Sequence, residues 1–323
     1  MRILQVILLV LLLVPGWSGE ERLPLYGGVP TVRVTRVDLD ARDPARRRVG
    51  PLTYLGGVRF SSRDPAFGGF SALAVHDGRF LLLADGGLTF GFAMGADLVP
   101  RDYRFGALPD GPGRGWTKRE RDSESLVRDP VTGRAWVGFE DANAIWRYAP
   151  GLTRAEAALA PRAMTRWPAN GGAEAMVRLR DGRFLVFSED MDDPRGGKQA
   201  LAFDRDPTDP RAATTPFRLL LPRRYRPTDA AQLPDGRLMV LARAVSLGDG
   251  FTAKLLLADP RDIARGTVPT RTIATFAWPL LHDNFEGLAV TREGDATIVW
   301  LLSDDNTPSL FQRTLLLKFR FAG

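Results

Sequence analysis

The chain has 323 residues, with 44 lysines and arginines against 38 acids, a formal charge of +6 and no cysteine. Without cysteine there are no disulfides, no thiolate catalysis, no cysteine-held zinc and no lipid on an N-terminal cysteine. Arginine outnumbers lysine 40 to 4 and is scattered; the one dense run, Arg42–Arg48, is broken by Asp43 and Pro44 and has no interleaved aromatics, so nucleic-acid binding is not expected.

Met1-Arg2 precedes the apolar run Ile3–Val14, and Pro15-Gly16-Trp17-Ser18 offers small residues at −3 and −1 of a cleavage after Ser18. That pattern predicts a signal peptide over residues 1–18 and a periplasmic or secreted protein. As a helix the apolar run reaches about 18 Å, short of the roughly 30 Å hydrocarbon core. No other stretch reads as a membrane span. Residues 19–49 read as an N-terminal segment with a closing strand, and residues 50–323 as one domain.

Strands are expected near 31–38 and 52–60, and then one pattern recurs five times. A small or acidic residue opens an apolar run, a tight turn follows, and a second apolar run ends near more acids. The copies span Ser71–Asp85, Glu124–Glu140, Glu174–Glu189, Asp229–Arg243 and Glu286–Asp305. Their turn glycines, Gly78, Gly133, Gly182, Gly236 and Gly294, lie 55, 49, 54 and 58 residues apart. Hairpins at such a period predict an all-β propeller of four-stranded blades. The third blade is expected at 174–179, 183–188, 199–204 and 216–221, and the fourth at 229–233, 237–242, 252–258 and 271–276. Five blades are legible. The surplus strands leave room for a sixth, and a last strand at 313–321 closes the ring with one from the opposite terminus. A closed ring exposes few edges, which predicts a monomer.

The residues that open the inner strands are Ser71, Glu124, Glu174, Asp229 and Glu286, each with a small neighbour (Ala72, Ser125, Ala175, Ala230, Gly287). Equivalent positions in successive blades face one another across the central channel, so four carboxylates are expected at one mouth. A second set, Asp85, Glu140 with Asp141, Glu189 with Asp190, and Asp304 with Asp305, ends the second strands on the same face. Crowded carboxylates raise one another's pKa or take up a cation. A hard, oxygen-seeking ion suits them, and Ca²⁺ is the expected cofactor. Its candidate ligands are Glu124, Glu174, Asp229, Glu286 and Asp304, with Asn170 and Asn284 as amide donors. The same four inner-strand acids, Glu124, Glu174, Asp229 and Glu286, are the catalytic candidates. The alternative is that each acid caps a turn or pairs with a local arginine such as Arg119 or Arg121.

Of the two histidines, His76 falls at the first hairpin turn, opposite the acids, and His282 precedes Glu286 by four residues. No Gly-x-Ser-x-Gly elbow, P-loop, Gly-x-Gly-x-x-Gly or His-Glu-x-x-His is present, which leaves metal-assisted chemistry on oxygen ligands. Arg243 stands where other units place an acid. With Lys198 and Arg224 on connecting loops, it is a candidate for gripping a substrate anion.

Phe67-Gly-Gly-Phe-Ser-Ala-Leu73, Asp122-Ser-Glu-Ser125, Gly171-Gly-Ala-Glu-Ala-Met176 and Asn284-Phe-Glu-Gly-Leu-Ala289 resemble the phytase-like propeller family, described as having esterase-like activity of phytase, from about residue 50 to 321. The resemblance implies a β-propeller, calcium and phosphate-ester chemistry, with Glu124, Glu174, Asp229 and Glu286 at the channel. The leading expectation is an exported calcium-dependent hydrolase of a phosphate ester or related ester. The alternatives are a non-catalytic binding propeller and a sugar- or lactone-acting hydrolase.

Overall fold

The computed structural model describes residues 22–306 and 312–323; the expected signal peptide lies outside them. Among the described residues no helix is long and apolar enough to cross a membrane. The fold is an all-β propeller. Blade one is β4 (Phe70–His76), β5 (Arg79–Ala84), β6 (Leu88–Met94) and β7 (Pro100–Ala107). Blade two is β8 (Ser123–Arg128), β9 (Ala135–Phe139), β10 (Ala144–Tyr148) and β11 (Ala155–Leu159). Blade three runs through β12 (Ala173–Arg178), β13 (Phe184–Asp192), β14 (Lys198–Phe203) and β15 (Thr214–Leu220). Blade four runs through β16 (Arg226–Gln232), β17 (Leu238–Ser246), β18 (Gly250–Ala258) and β19 (Thr267–Phe276). These strands match the expected ones to within a few residues.

Blade five settles the blade count. Its inner strands β20 (Asn284–Glu293), β21 (Ala296–Asp304) and β22 (Thr314–Phe321) come from the C-terminal part of the chain. Strand β3 (Leu52–Ser62) pairs antiparallel with β22 along its length, Thr314 opposite Phe60 and Phe321 opposite Leu52. Strand β1 (Val32–Val37) then adds outside β3, and the short β2 (Arg48–Val49) folds back on it. The surplus N-terminal strand therefore widens the fifth blade instead of founding a sixth.

The core confirms this closure. Each neighbouring pair of blades encloses its own apolar cluster, and the fifth cluster packs Val58, Phe60 and Trp300 of blade five against Phe70, Phe80, Phe90 and Phe92 of blade one. Burying each such side chain contributes about 1.5–3 kcal/mol. With no disulfide available, closure through β3 and this aromatic cluster (Phe60–Phe90 5.6 Å, Phe80–Trp300 4.8 Å between centroids) locks first blade to last. The five turn glycines all adopt positive φ, from 58° at Gly294 to 93° at Gly236. They end the first hairpin of every blade at the same end of the ring.

Candidate functional site

The site is built by one irregularity repeated in every inner strand. Pairing between first and second strands skips a residue at Ser71, Glu124, Glu174, Thr228 and Glu286. A bulge leaves its extra residue unpaired and re-aims the side chain. In blades one and four that residue is a hydroxyl that ties to the next blade: Ser71 Oγ donates to the Ser123 carbonyl at 2.8 Å and Thr228 Oγ1 to that of Phe285 at 3.2 Å. In the other three blades it is a glutamate. The residue just beyond the bulge's partner on the second strand is also equivalent in all five blades: Asp85, Glu140, Glu189, Arg243 and Asp304.

These two sets converge on a cavity of about 150 Å³ at the mouth where the inner strands begin. Glu124, Glu174 and Glu286 line it with Asp85, Asp122, Glu140, Glu189 and Asp304, and the cations among its lining residues are Lys118 and Arg243. Single oxygens of Asp122, Glu124 and Glu140 lie within 4.8 Å of one another, as do those of Glu140, Glu174 and Glu189. Glu140 joins both triads, and its Oε1 accepts from the backbone N–H groups of Gly171 and Gly172. A Cβ at Gly172 would fall 2.2 Å from the Asn143 side chain, so any larger residue there would push Asn143 aside.

Burial is the main cause of the electrostatics. It pushes the carboxyls of Glu124, Glu174 and Asp304 well above the usual range; repulsion adds, chiefly from Glu174 on Glu124, from Glu189 on Glu174 and from Glu286 on Asp304. Glu140 rises to about 7 through burial and the nearby Asp122, against the two glycine N–H donors. Glu286 rises less, because Arg243 and the Asn284 amide oppose burial. Arg243 is the hub: it lies 3.2 Å from both Glu189 and Glu286 and donates to Asn284 Oδ1 at 3.0 Å. Asn284 in turn donates to Glu286 at 2.9 Å. Across the pit, Lys118 on the short helix α1 (Lys118–Arg121) pairs with Asp85 at 2.7 Å and Asp122 at 3.7 Å.

Asp229 does not join this pit. It sits one residue beyond the bulge, where other blades carry Ala72, Ser125, Ala175 and Gly287, and its side chain turns between blades four and five. There it accepts from the Leu288 N–H at 2.7 Å and the Ala230 N–H at 2.7 Å, and it lines the opposite mouth. The true equivalent, Thr228, was marked by spacing: like Glu174 and Glu286, it precedes its turn glycine by eight residues. Asp122 and Lys118 were missed as pit residues because they precede the repeat unit.

Of the remaining residues, Asn170 lines the pit. Arg119 pairs with Asp141 at 3.5 Å. His282 turns its ring to the Leu280 carbonyl, and His76 lines the opposite mouth beside Asp77. Lys198 and Arg224 line a groove of about 630 Å³ that shares Arg243, Glu189 and Asn170 with the pit. Lys198 is engaged by Asp192 at 2.8 Å, whereas Arg224 is exposed and adopts the left-handed φ of 72°. Such strain in a residue other than glycine gathers at ligand-binding loops.

A family model described as phytase-like, esterase-like activity of phytase, matches residues 65–307. Among curated proteins none matches the sequence. Among solved structures, the allergen Mala s 1 of Malassezia sympodialis is similar at 12% identity over 85% of this chain and 91% of that chain, with a TM-score of 0.45. The Cps50 (Swd1) β-propeller domain of Myceliophteria thermophila is similar at 10% identity over 77% and 71%, with a TM-score of 0.38.

Proposed function

The chain belongs to the phytase-like family, and from that premise we propose that the acidic pit binds calcium and hydrolyses a phosphate ester held by the neighbouring arginines. The observation that carries the proposal is the junction at Arg243, where a carboxylate-rich pit meets a basic groove. The donors suit a hard cation. The oxygens of each triad lie within 4.8 Å of one another, close enough for one hard, oxygen-seeking cation to be shared among them. Asp122 Oδ1 is also buried without a hydrogen-bond partner. Asp122, Glu124 and Glu140, or Glu140, Glu174 and Glu189, would hold the ion, with Glu286 and Asp304 adding to the charge of the pit.

Such a cation supplies charge neutralisation and a more acidic bound water. The chain's own residues supply the rest. Arg243, which lines both the pit and the groove, would hold phosphoryl oxygens by charge-assisted hydrogen bonds, with Lys198 and Arg224 farther along the groove. Asn284 fixes both Arg243 and Glu286, and the Glu286 carboxylate would accept a proton from the attacking water. The water oxygen would bond to phosphorus as the phosphorus–oxygen ester bond breaks, and the alcohol would leave with the proton that Glu286 took from the water. A serine-triad esterase lacks support, since neither histidine lines the pit. Export follows from the apolar run Ile3–Val14, and a monomer acting on a small molecule from the closed ring.

The test is release of nitrophenol from p-nitrophenyl phosphate with calcium and with chelator. Turnover is expected only with calcium, and Glu286→Gln is expected to lower it about 100-fold or more at unchanged secondary structure. Calcium binding without turnover would leave a binding propeller in its place.

A further inference from the structure

The pit is the waist of a longer trough. On the side of blades three and four it shares Asn170, Glu189 and Arg243 with the 630 Å³ groove. On the opposite side, formed by blades one and five, it shares Asp85, Lys118 and Asn306 with a second cavity of about 490 Å³. Each arm is divided from the pit by one ion pair, Arg243–Glu189 at 3.2 Å and Lys118–Asp85 at 2.7 Å.

The two arms differ in chemistry. In the first, Lys198 and Arg226 are engaged by Asp192 and Asp190. Arg223 and Arg224 are exposed and make no ion pair among the described residues. The second arm is lined by Leu23, Pro24, Pro65, Ala66 and Leu88. Its outer wall includes residues 22–24. The Leu23 N–H donates to the Trp116 carbonyl at 2.8 Å, and the Leu23 side chain lies so close over Gly86 that a Cβ there would come within 2.9 Å of it. That segment makes an apolar wall, and its cation, Arg22, stacks on Trp116, 4.8 Å from the ring centroid.

We propose that the substrate is an asymmetric phosphate ester, with an apolar group in the arm lined by Leu23 and Leu88 and a second anionic group on Arg223 and Arg224. This rests on the pit being the phosphoryl site. Flanking arms of unlike chemistry then orient the substrate, because reversing it would put carbon chain among guanidinium groups and charge among prolines. Each methylene buried in the apolar arm is expected to tighten binding about fourfold.

Calorimetry on the calcium-loaded protein tests this with inorganic phosphate, butyl phosphate, hexyl phosphate and 3-phosphonopropionate. Affinity should rise from phosphate through butyl to hexyl phosphate. Leu23→Asp, or Pro24→Glu at the exposed rim, should bring hexyl phosphate back to the affinity of inorganic phosphate and leave phosphate itself unchanged. The double variant Arg223→Ala/Arg224→Ala should weaken 3-phosphonopropionate about tenfold and spare hexyl phosphate. If phosphate binds and the alkyl chain adds nothing, or if Leu23→Asp weakens every probe equally, the two-arm assignment is wrong while the pit reading stands. If phosphate does not bind at all, the pit reading fails and takes this one with it.

Discussion

Where the inner strands begin, eight carboxylates surround a cavity of about 150 Å³ beside two cations; where the same five strands end, Arg128, Arg178, Arg180 and Arg292 line a cavity of about 500 Å³ with His76, Asp77 and Glu293. The second mouth has the charge of a site without its tension. Arg180 donates to the Pro234 carbonyl at 2.6 Å, Arg178 lies 3.7 Å from Asp129, Arg292 lies 3.8 Å from Asp295, and Glu293 pairs with Lys318. Arg178 and Arg180 reach to neighbouring hairpins and Arg292 to its own, so three of the four arginines meet a local partner. At the first mouth the bulges turn glutamates inward, where burial and like charge raise their pKa values and no arginine is available for each. What separates the two ends is unrelieved charge, more than the number of charged residues.

The largest effect that sharpens this contrast is the joint response to calcium and pH. Asp122, Glu124, Glu140, Glu174, Glu286 and Asp304 have folded pKa values above their unfolded ones, so the folded state binds more protons and loses stability as pH rises. In chelator, the melting temperature should therefore fall from about pH 5, above the ordinary carboxylate range, through the value of about 7 at Glu140 and on to pH 8. Calcium at about 100 times its dissociation constant should add about 2.7 kcal/mol, several degrees, and flatten that slope. A metal-free melting temperature that rises over this range would break the contrast.

Next comes the pair Glu174→Gln and Asp229→Ala. Removing one buried charge from the pit should raise the melting temperature in chelator at pH 8 and weaken calcium binding about tenfold or more. Asp229→Ala strips the Leu288 and Ala230 N–H groups of their acceptor, a loss of about 1–3 kcal/mol, and should leave calcium affinity unchanged in titration calorimetry. Equal loss of calcium affinity in both variants would return Asp229 to the site. The smallest effect is expected from Arg178→Ala at the far mouth, below about 1 kcal/mol in chemical denaturation and with turnover unaltered.

Much of the fold is written locally. Turn glycines at near-regular intervals, apolar runs of strand length and acids at strand starts gave the propeller, its hairpins and the sidedness of the acids; even the exception at Arg243 is visible as a cation in an acid's place. The fourth blade misled because a bulge shifts register by one, and Asp229 next to Thr228 offers a carboxylate of the right type on the wrong side of the strand. The arms of the trough left no local signal, since their walls come from Leu23, Pro65 and Leu88 on one side and Arg223 to Arg226 on the other.

The sequence by itself determined that five hairpin units exist and that acids gather at one end of each, because hairpin formation and strand alternation depend on neighbours a few residues apart. Only the tertiary structure decided that the units number five in the closed ring, through β3 on β22, and that three bulge glutamates share one pit with Lys118 and Arg243. Those groups are some 50 residues apart along the chain per blade. Their repulsion, burial and pairing arise only when ring closure brings them within a few ångströms, where Coulomb energy and desolvation become large.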